Sequence, residues 1–272
     1  MKTSLRIIAG YLTLSLTVLA DVSPDQLMQA QKKITQCDYA GALYLLNRVI
    51  ADAPDAAEGY FLRATAKEKQ RDSIGALVDY EAAIRLNVAE QRYYLARGDL
   101  LVSLDRYQAA VDDYNNAIAL RPVEHVGYQK RAVAFTRLQY YTKALSDFDL
   151  AIKLNSREPE SYALRIQTFL SMSDSAAALA GINEMIALFP SCAKGFHLRS
   201  LMRTAARDRE NALTDLDTTI QLSPDEPAYY KERAKLRSVL GDGEGAQADV
   251  VKYNALVRAG RNNPSYKVAS TP

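Results

Sequence analysis

A period of 34 residues constrains this chain more than any other feature of its sequence. Counted from Ser23, seven blocks of equal length follow one another without an insertion or a deletion. A position within the block is called a column here, and the same residue types return in the same columns. Self-similarity at a fixed period of about 20–50 residues indicates an array of structural repeats. The blocks are residues 23–56, 57–90, 91–124, 125–158, 159–192, 193–226 and 227–260.

The least variable columns predict two helices in every block. Column 20 is always alanine, and column 8 is small in six blocks, so two helices can approach each other closely at these columns. Column 4 is aromatic in six blocks and column 28 is isoleucine in six. Proline stands at column 32 in four blocks, where it ends the second helix. Each block therefore predicts a helical hairpin. The column-20 alanines are Ala42, Ala76, Ala110, Ala144, Ala178, Ala212 and Ala246.

This pattern resembles the tetratricopeptide repeat (TPR), a 34-residue unit marked by aromatic, glycine, alanine and proline positions. Tyr60 and Ala64, followed by Ala76 and Tyr80, carry the resemblance in the second block. The chain departs from the family pattern at column 4, which has tyrosine instead of tryptophan. The resemblance implies an all-α fold, a right-handed α-solenoid of seven helix-turn-helix hairpins over residues 23–260.

The resemblance also implies where a ligand would lie. In this family the first helix of each unit lines a concave wall, which commonly binds an extended peptide or a partner helix through columns 2, 5, 9, 12 and 13. A protein or peptide is therefore the expected partner. The candidate groove has acids toward the second block and lysines toward the last. Its residues are Glu58, Phe61, Thr65, Glu68, Lys69, Arg92, Leu95, Asp99, Gln129, Arg137, His197, Lys231 and Lys235.

Columns 7 and 23 predict a ladder of ion pairs. Column 7 is arginine in six blocks and column 23 is aspartate in five, and both lie beside the helix crossing, where a charge needs a partner. The two residue types occur together in the same blocks, which favours pairing within a block and a structural role over a rail for anionic ligands. The predicted pairs are Arg63–Asp79, Arg97–Asp113, Arg131–Asp147, Arg199–Asp215 and Arg233–Asp249.

No pattern in the sequence predicts catalysis. Phosphate loops and nucleophile elbows are missing, and the chain has only two histidines, His125 and His197, which lie two blocks apart. Outside the first twenty residues the basic and acidic side chains are equal in number, so the totals show no surface for nucleic acid. We therefore expect no enzyme activity, cofactor, metal or nucleic-acid partner.

The first twenty residues have the order of a secretory signal. Lys2 and Arg6 precede the mostly apolar run from Ile7 to Leu19, and Ala20 precedes the expected first mature residue, Asp21. The run is short for a membrane-spanning helix, which needs about 20 residues. Residues 1–20 thus predict a cleaved signal and a periplasmic or secreted protein. An uncleaved anchor, through which alone the chain would contact a membrane, and an ordinary buried helix are the alternatives.

Together these features predict an exported, non-enzymatic scaffold that holds a segment of a partner protein in a bacterial envelope assembly or secretion complex. One alternative is a structural or self-associating spacer whose end faces matter. Another is an accessory subunit of an envelope enzyme, such as a polysaccharide-export or cell-wall machine. We expect no separate capping helix in the polar tail 261–272, so the exposed face of the last helix should either end the stack or dock a partner. That face comprises Val250, Tyr253, Leu256 and Val257.

Overall fold

The computed structural model describes residues 24–262, with side chains up to residue 260. The predicted signal, residues 1–20, and the predicted tail beyond Asn262 lie outside the described residues. Within 24–262 the chain forms fourteen α-helices and no strand. The prediction of an all-α array of helical hairpins is therefore confirmed.

Every block contributes two helices, and their bounds keep step with the 34-residue period. The first helices have 12 or 13 residues and the second helices have 14, except that α14 continues for 20 residues into the predicted tail. The helices are α1 Pro24–Thr35, α2 Tyr39–Asp52, α3 Ala57–Lys69, α4 Ser73–Leu86, α5 Gln91–Ser103, α6 Tyr107–Leu120, α7 His125–Arg137, α8 Tyr141–Leu154, α9 Pro159–Ser171, α10 Ser175–Leu188, α11 Ala193–Ala205, α12 Arg209–Leu222, α13 Pro227–Val239 and α14 Gly243–Asn262.

The turn inside each hairpin has the same backbone conformation in all seven blocks. It occupies columns 14–16, and Ser73 and Gly243, at column 17, are the first residues of their helices. Column 15 has a positive φ every time, although only Gly241 is a glycine there. A single residue in the left-handed backbone conformation ends a helix, because it turns the chain away from the helix axis. The other six are Cys37, Arg71, Asp105, Gln139, Ser173 and Arg207, with φ between 57° and 66°.

Column 16 is the N-cap position of the second helix, and the residues found there differ in whether they cap it. Asp38, Asp72, Asp174 and Asp242 each accept a hydrogen bond from the backbone N–H three residues later, at 2.8–3.0 Å. Such a bond satisfies one of the four N–H groups that a helix start leaves without a partner. Arg106 carries no capping bond at the start of α6.

The core lies where the two helices of a block cross. The column-20 alanines of the first six blocks are all completely buried, and in the first, second and fourth blocks they pack against the large column-24 residue and the small column-8 residue. Ala64, Ala76 and Tyr80 form this contact with Leu100, and Ala132, Ala144 and Phe148 form it again. Small side chains at the crossing let the helix backbones approach, while the column-24 aromatics fill the space beside them.

Helices pack on their neighbours in chain order within two compact units, residues 24–100 and residues 101–262, which meet within α5. In the first unit α1 also contacts α3, and in the second α7 contacts α9. Within each unit, these first helices of successive blocks therefore lie side by side. None of the helices in residues 24–262 combines the length and the apolar character that a membrane span requires.

Successive blocks approach each other most closely at column 3. At Gly127, an added Cβ would lie only 2.8 Å from Cγ1 of Ile118 in the preceding helix. Gly195 meets Ile186 in the same way, at 2.9 Å. The recurring isoleucine of column 28 is thus a contact between blocks, and glycine at column 3 makes room for it.

Candidate functional site

The predicted groove residues all lie on first helices, and none of the thirteen is buried. Their column-8 neighbours Ala64 and Ala132, on the same helices, are completely buried, so each helix has an inner and an accessible face. In the first unit α3 and α5 carry Glu58, Phe61, Thr65, Glu68, Lys69, Arg92, Leu95 and Asp99. In the second unit α7, α11 and α13 carry Gln129, Arg137, His197, Lys231 and Lys235.

In the first unit a cluster of aromatic and charged groups connects the accessible face to the buried side chains of Tyr80 and Tyr93. The Phe61 ring centre lies 4.9 Å from that of Tyr93 and 5.8 Å from that of Tyr80. The Arg92 guanidinium lies 5.4 Å from the Phe61 ring centre. Glu58 accepts hydrogen bonds from Nη2 of Arg92 at 3.2 Å and from the Tyr93 hydroxyl at 3.0 Å. We call Glu58, Phe61, Tyr80, Arg92 and Tyr93 the α3–α5 cluster.

The two tyrosines of this cluster are held in the neutral form. Burial, and then the negative charge of Glu68, raise the pKa of Tyr80, whose hydroxyl donates to Oε2 of Glu68 at 2.9 Å. Burial, and then the charge of Glu58, raise the pKa of Tyr93. Both phenols therefore act as hydrogen-bond donors, and they fix the two carboxylates at this face.

In the second unit polar contacts also connect neighbouring first helices. Nζ of Lys194 lies 2.6 Å from Oε2 of Glu160, exactly one period away in the sequence, as Arg92 is from Glu58. Nε2 of His197 lies 2.8 Å from Oε2 of Glu232, and its ring centre lies 4.8 Å from that of Tyr229. Column 2 thus provides ion pairs between blocks in both units. These contacts orient the groove side chains before any ligand arrives.

The ladder pairs form within blocks, with short and mostly two-pronged hydrogen bonds. Nε and Nη2 of Arg63 donate to the two carboxylate oxygens of Asp79 at 2.8 and 2.7 Å. The same arrangement joins Arg131 to Asp147, Arg199 to Asp215 and Arg233 to Asp249. These four aspartates are buried. Arg97 lies in the first unit and Asp113 in the second, and their pairing stays a prediction.

The fifth block lacks the aspartate, and its arginine has different partners. Gly181 occupies column 23, so Arg165 donates to Asp149 at 2.9 Å and to Glu184 at 2.6 Å. Both carboxylates are exposed, unlike the buried aspartates of the other blocks. Nε of Arg165 is buried without a hydrogen-bond partner. The ladder is therefore weakest in this block.

Sequence reasoning missed a second partner of five column-7 arginines. Nη1 donates to the column-25 residue of the preceding block, so one guanidinium joins two blocks. The signal was present, because column 25 is asparagine, aspartate or glutamate in six blocks, and only Val251 is apolar. These contacts are Arg63 with Asn47, Arg131 with Asn115, Arg165 with Asp149, Arg199 with Asn183 and Arg233 with Asp217, at 2.7–3.4 Å.

Column 11 supplies a second cation to three of the buried aspartates, which sequence reasoning also missed. Lys67 lies 2.7 Å from Asp79, Arg203 lies 2.7 Å from Asp215 and Arg237 lies 3.0 Å from Asp249. Three of the buried aspartates thus bind two cations each, and the arginines bond residues of two blocks. The hydrogen-bonding groups of the ladder are therefore occupied by contacts inside the fold. This geometry favours the structural role over the anionic-ligand rail.

The two histidines lie on different helices, α7 and α11. Among the residues that the structure describes, no group of three or more histidine, cysteine, aspartate or glutamate side chains is placed to hold a metal ion.

A family model described as tetratricopeptide repeat matches residues 91–124, which is the whole of the third block. The other six blocks repeat its columns and its hairpin geometry. The chain therefore contains a block similar to the tetratricopeptide repeat and has the fold of tetratricopeptide repeat proteins. Such a repeat fold is typically a non-catalytic scaffold, and TPR proteins bind protein or peptide partners.

Solved TPR structures resemble the chain in fold at low sequence identity. A TPR protein from Parabacteroides merdae is 19% identical, with a TM-score of 0.67, and the match covers 89% of this chain and 95% of that one. PilF of Pseudomonas aeruginosa is 15% identical with a TM-score of 0.60, covering 78% and 96%. Cut9, in the APC/C hetero-tetramer Cut9–Hcn1, is 16% identical with a TM-score of 0.58, covering 78% and 42%. No curated protein matches the chain.

Proposed function

We propose that this TPR protein is an exported, non-enzymatic scaffold that holds a segment of a partner protein along the faces of its first helices. The observation that carries the proposal is the accessible, pre-oriented set of groove side chains. Ion pairs between blocks, such as Arg92–Glu58 and Lys194–Glu160, fix these side chains in place. A surface that is already ordered loses less conformational entropy when a partner binds.

The expected setting is a bacterial envelope assembly or secretion complex. The basic and then apolar order of residues 1–20 supports export, and the absence of a catalytic motif in the sequence supports a binding role. The solved neighbour Cut9–Hcn1 is, by its description, part of a hetero-tetramer, which agrees with TPR repeats serving in assemblies. An accessory subunit of an envelope enzyme would use the same groove and is contained in this proposal.

The terminal blocks disfavour the alternative of a spacer that stacks end to end. Five column-7 arginines donate to a polar column-25 residue of the preceding block, and this contact ties blocks together. At the two ends the participants are absent, because Gln29 occupies column 7 of the first block and Val251 occupies column 25 of the last. A copy stacked in the geometry of the internal blocks would lack this tie.

Site-specific photo-crosslinking in intact cells tests the groove. A photo-reactive amino acid at Arg137, an exposed groove position, should capture a protein whose identity is then determined by mass spectrometry. The matched control is Thr142, which is exposed on α8, the second helix of the same block. We expect many adducts from position 137 and few from position 142. In these adducts the TPR protein itself should begin at Asp21. Adducts only from position 142 would contradict the proposal. So would adducts in which the TPR protein retains Met1 and lies in the cytoplasm.

A further inference from the structure

The last block presents an open surface between α13 and α14, which includes the groove lysines Lys231 and Lys235 but none of the ion pairs described above. It encloses about 750 Å³. Its floor consists of Ala234, Ala246, Val250 and Tyr253, and we call this surface the end face. Ala246 is only partly buried, whereas the other column-20 alanines are completely buried, and Val250 is 40% exposed at a column that is otherwise buried.

Internal blocks show what these columns hold. Ala212 and Leu216, at columns 20 and 24 of the sixth block, pack against Leu236 of the next first helix. In the fourth block, Ala144 and Phe148 pack against Leu164 of the next first helix. The incoming helix contributes columns 6 and 10, which are four residues apart. The end face therefore has the shape that receives an α-helix with two apolar residues at that spacing.

The rim of the end face defines the charge of its occupant. Lys231 and Lys235 are the charged residues among those that line it. Both are exposed, and neither forms an ion pair within the part of the chain that the structure describes. Nζ of Lys231 lies 5.8 Å from the Tyr253 ring centre, which holds it over the apolar floor. We propose that the end face binds an amphipathic α-helix of a partner protein, with acidic residues flanking its apolar stripe.

A second copy of the chain fits this surface poorly. Its free first helix, α1, would bring Met28 to column 6 but Lys32 to column 10. Lys32 and the adjacent Lys33 would approach Lys231 and Lys235, and like charges oppose association. The missing column-7 to column-25 tie acts in the same direction. An acidic helix of a partner protein would place its apolar residues on the floor and its acidic residues beside Lys231 and Lys235.

A pair of synthetic helical peptides tests the proposal on the full chain. Each has sixteen residues and two leucines four apart, one flanked by glutamates and the other by lysines at the same positions. Fluorescence anisotropy at low salt should show the acidic peptide binding at least tenfold more tightly. Val250→Glu should weaken its binding at least tenfold, and Lys231→Glu with Lys235→Glu should reverse the preference. Lys153→Glu, an exposed change on α8, is the control and should leave binding unchanged.

Each other outcome overturns the proposal. Equal binding of the two peptides, or acidic-peptide binding that survives both sets of changes, would place the contact elsewhere. A dimer in light scattering that Val250→Glu dissociates would make a second copy the occupant. Binding that arises only in a chain ending at Asn262 would make the chain's own terminal segment the occupant. Lysines 231 and 235 are exposed, so their variant reports on the site even if Val250→Glu disturbs folding. Crosslinking from Arg137 is scored separately, so the groove proposal stands or falls independently.

Discussion

At the scale of single residues, the ladder arginines matter because they neutralise buried carboxylates. Arg131 donates two hydrogen bonds to Asp147, which is 7% exposed, and a third to Asn115. We expect Arg131→Ala to lower the free energy of unfolding by about 3 kcal/mol, because it leaves a buried charge without its partner. Urea denaturation followed by circular dichroism measures this loss.

Arg165→Ala is the matched control for this change. Arg165 lies over the column-4 tyrosine, Tyr162, at 5.7 Å, much as Arg131 lies over Tyr128 at 5.6 Å, so the lost packing is similar. Its acidic partners Asp149 and Glu184 are exposed, and we expect a loss about 2 kcal/mol smaller. Equal losses in the two variants would show that packing, and not the buried carboxylate, determines the effect.

Tyr80 makes stability depend on pH in the alkaline range. Burial and the charge of Glu68 raise its pKa in the folded protein, whereas the unfolded phenol ionises near the ordinary value of about 10. The neutral phenol is favoured by folding, so its contribution is complete below pH 10 and is lost as the pH rises through the folded pKa. Unfolding midpoints should therefore fall above about pH 10, less steeply in Tyr80→Phe.

Tyr44→Phe serves as the control for this pH dependence. Tyr44 is exposed, so its replacement removes one tyrosine hydroxyl without disturbing the core, and the alkaline slope of this variant is the reference for Tyr80→Phe. Phenolate absorbance in the ultraviolet, recorded across the same pH range, shows when each tyrosine ionises. If Tyr80→Phe keeps the full wild-type slope, the alkaline loss comes from other groups.

At the scale of elements, the hairpin turn and the helix cap decide how each second helix begins. Asp72 caps α4 through a 2.9 Å bond from the Gly75 N–H, and Arg106 holds the same position in α6 without a cap. Asp72→Ala should cost about 1 kcal/mol of stability, and Arg106→Asp should add up to about 1 kcal/mol. Thermal unfolding followed by circular dichroism compares the two.

Asp72→Asn is the control, since an asparagine oxygen caps about as well as a carboxylate. It should retain most of the stability that Asp72→Ala loses. A cap that works mainly through its charge at the helix terminus would instead make Asn and Ala equally unfavourable. If Arg106→Asp destabilises the chain, the uncapped start of α6 is held by other contacts of that turn.

At the scale of the whole molecule, repeat stability comes from each block and its interfaces with the neighbours. The sixth block is covered by α13, whereas the column-20 and column-24 residues of the seventh, Ala246 and Val250, remain partly open. We expect backbone amides of α13 and α14 to exchange hydrogen at least tenfold faster than those of α11 and α12. Native-state hydrogen exchange with mass spectrometry measures this difference.

The acidic helical peptide provides the control for this measurement. If the open end face is the reason for fast exchange, saturating peptide should slow α13 and α14 and leave α7 and α8 unchanged. If the amides of the second unit all exchange at the same rate without peptide, the unit opens as a whole. The uncovered face would then not destabilise α13 and α14 locally.

The sequence by itself determined the elements. The hairpins were predicted from the 34-residue period, the column-20 alanines and the column-32 prolines. This was possible because residues three and four apart lie on the same face of a helix, so a buried face appears as a periodic pattern in the sequence. The period also predicted ion pairs such as Arg63–Asp79, because the arginine and the aspartate recur at fixed columns of the same block. Handedness and the bounds of the signal stay predictions.

Only the tertiary structure decided which residues meet across blocks. The recurrence of polar residues at column 25 marks Asn115 as noteworthy, but nothing along the chain identifies Arg131, sixteen residues later, as its partner. The clustering of Phe61 with Tyr93 and the left-handed turn at Arg71 are likewise invisible in the sequence. Such contacts depend on distances and backbone angles that packing sets, whereas residue spacing reports only which side of a helix a residue occupies.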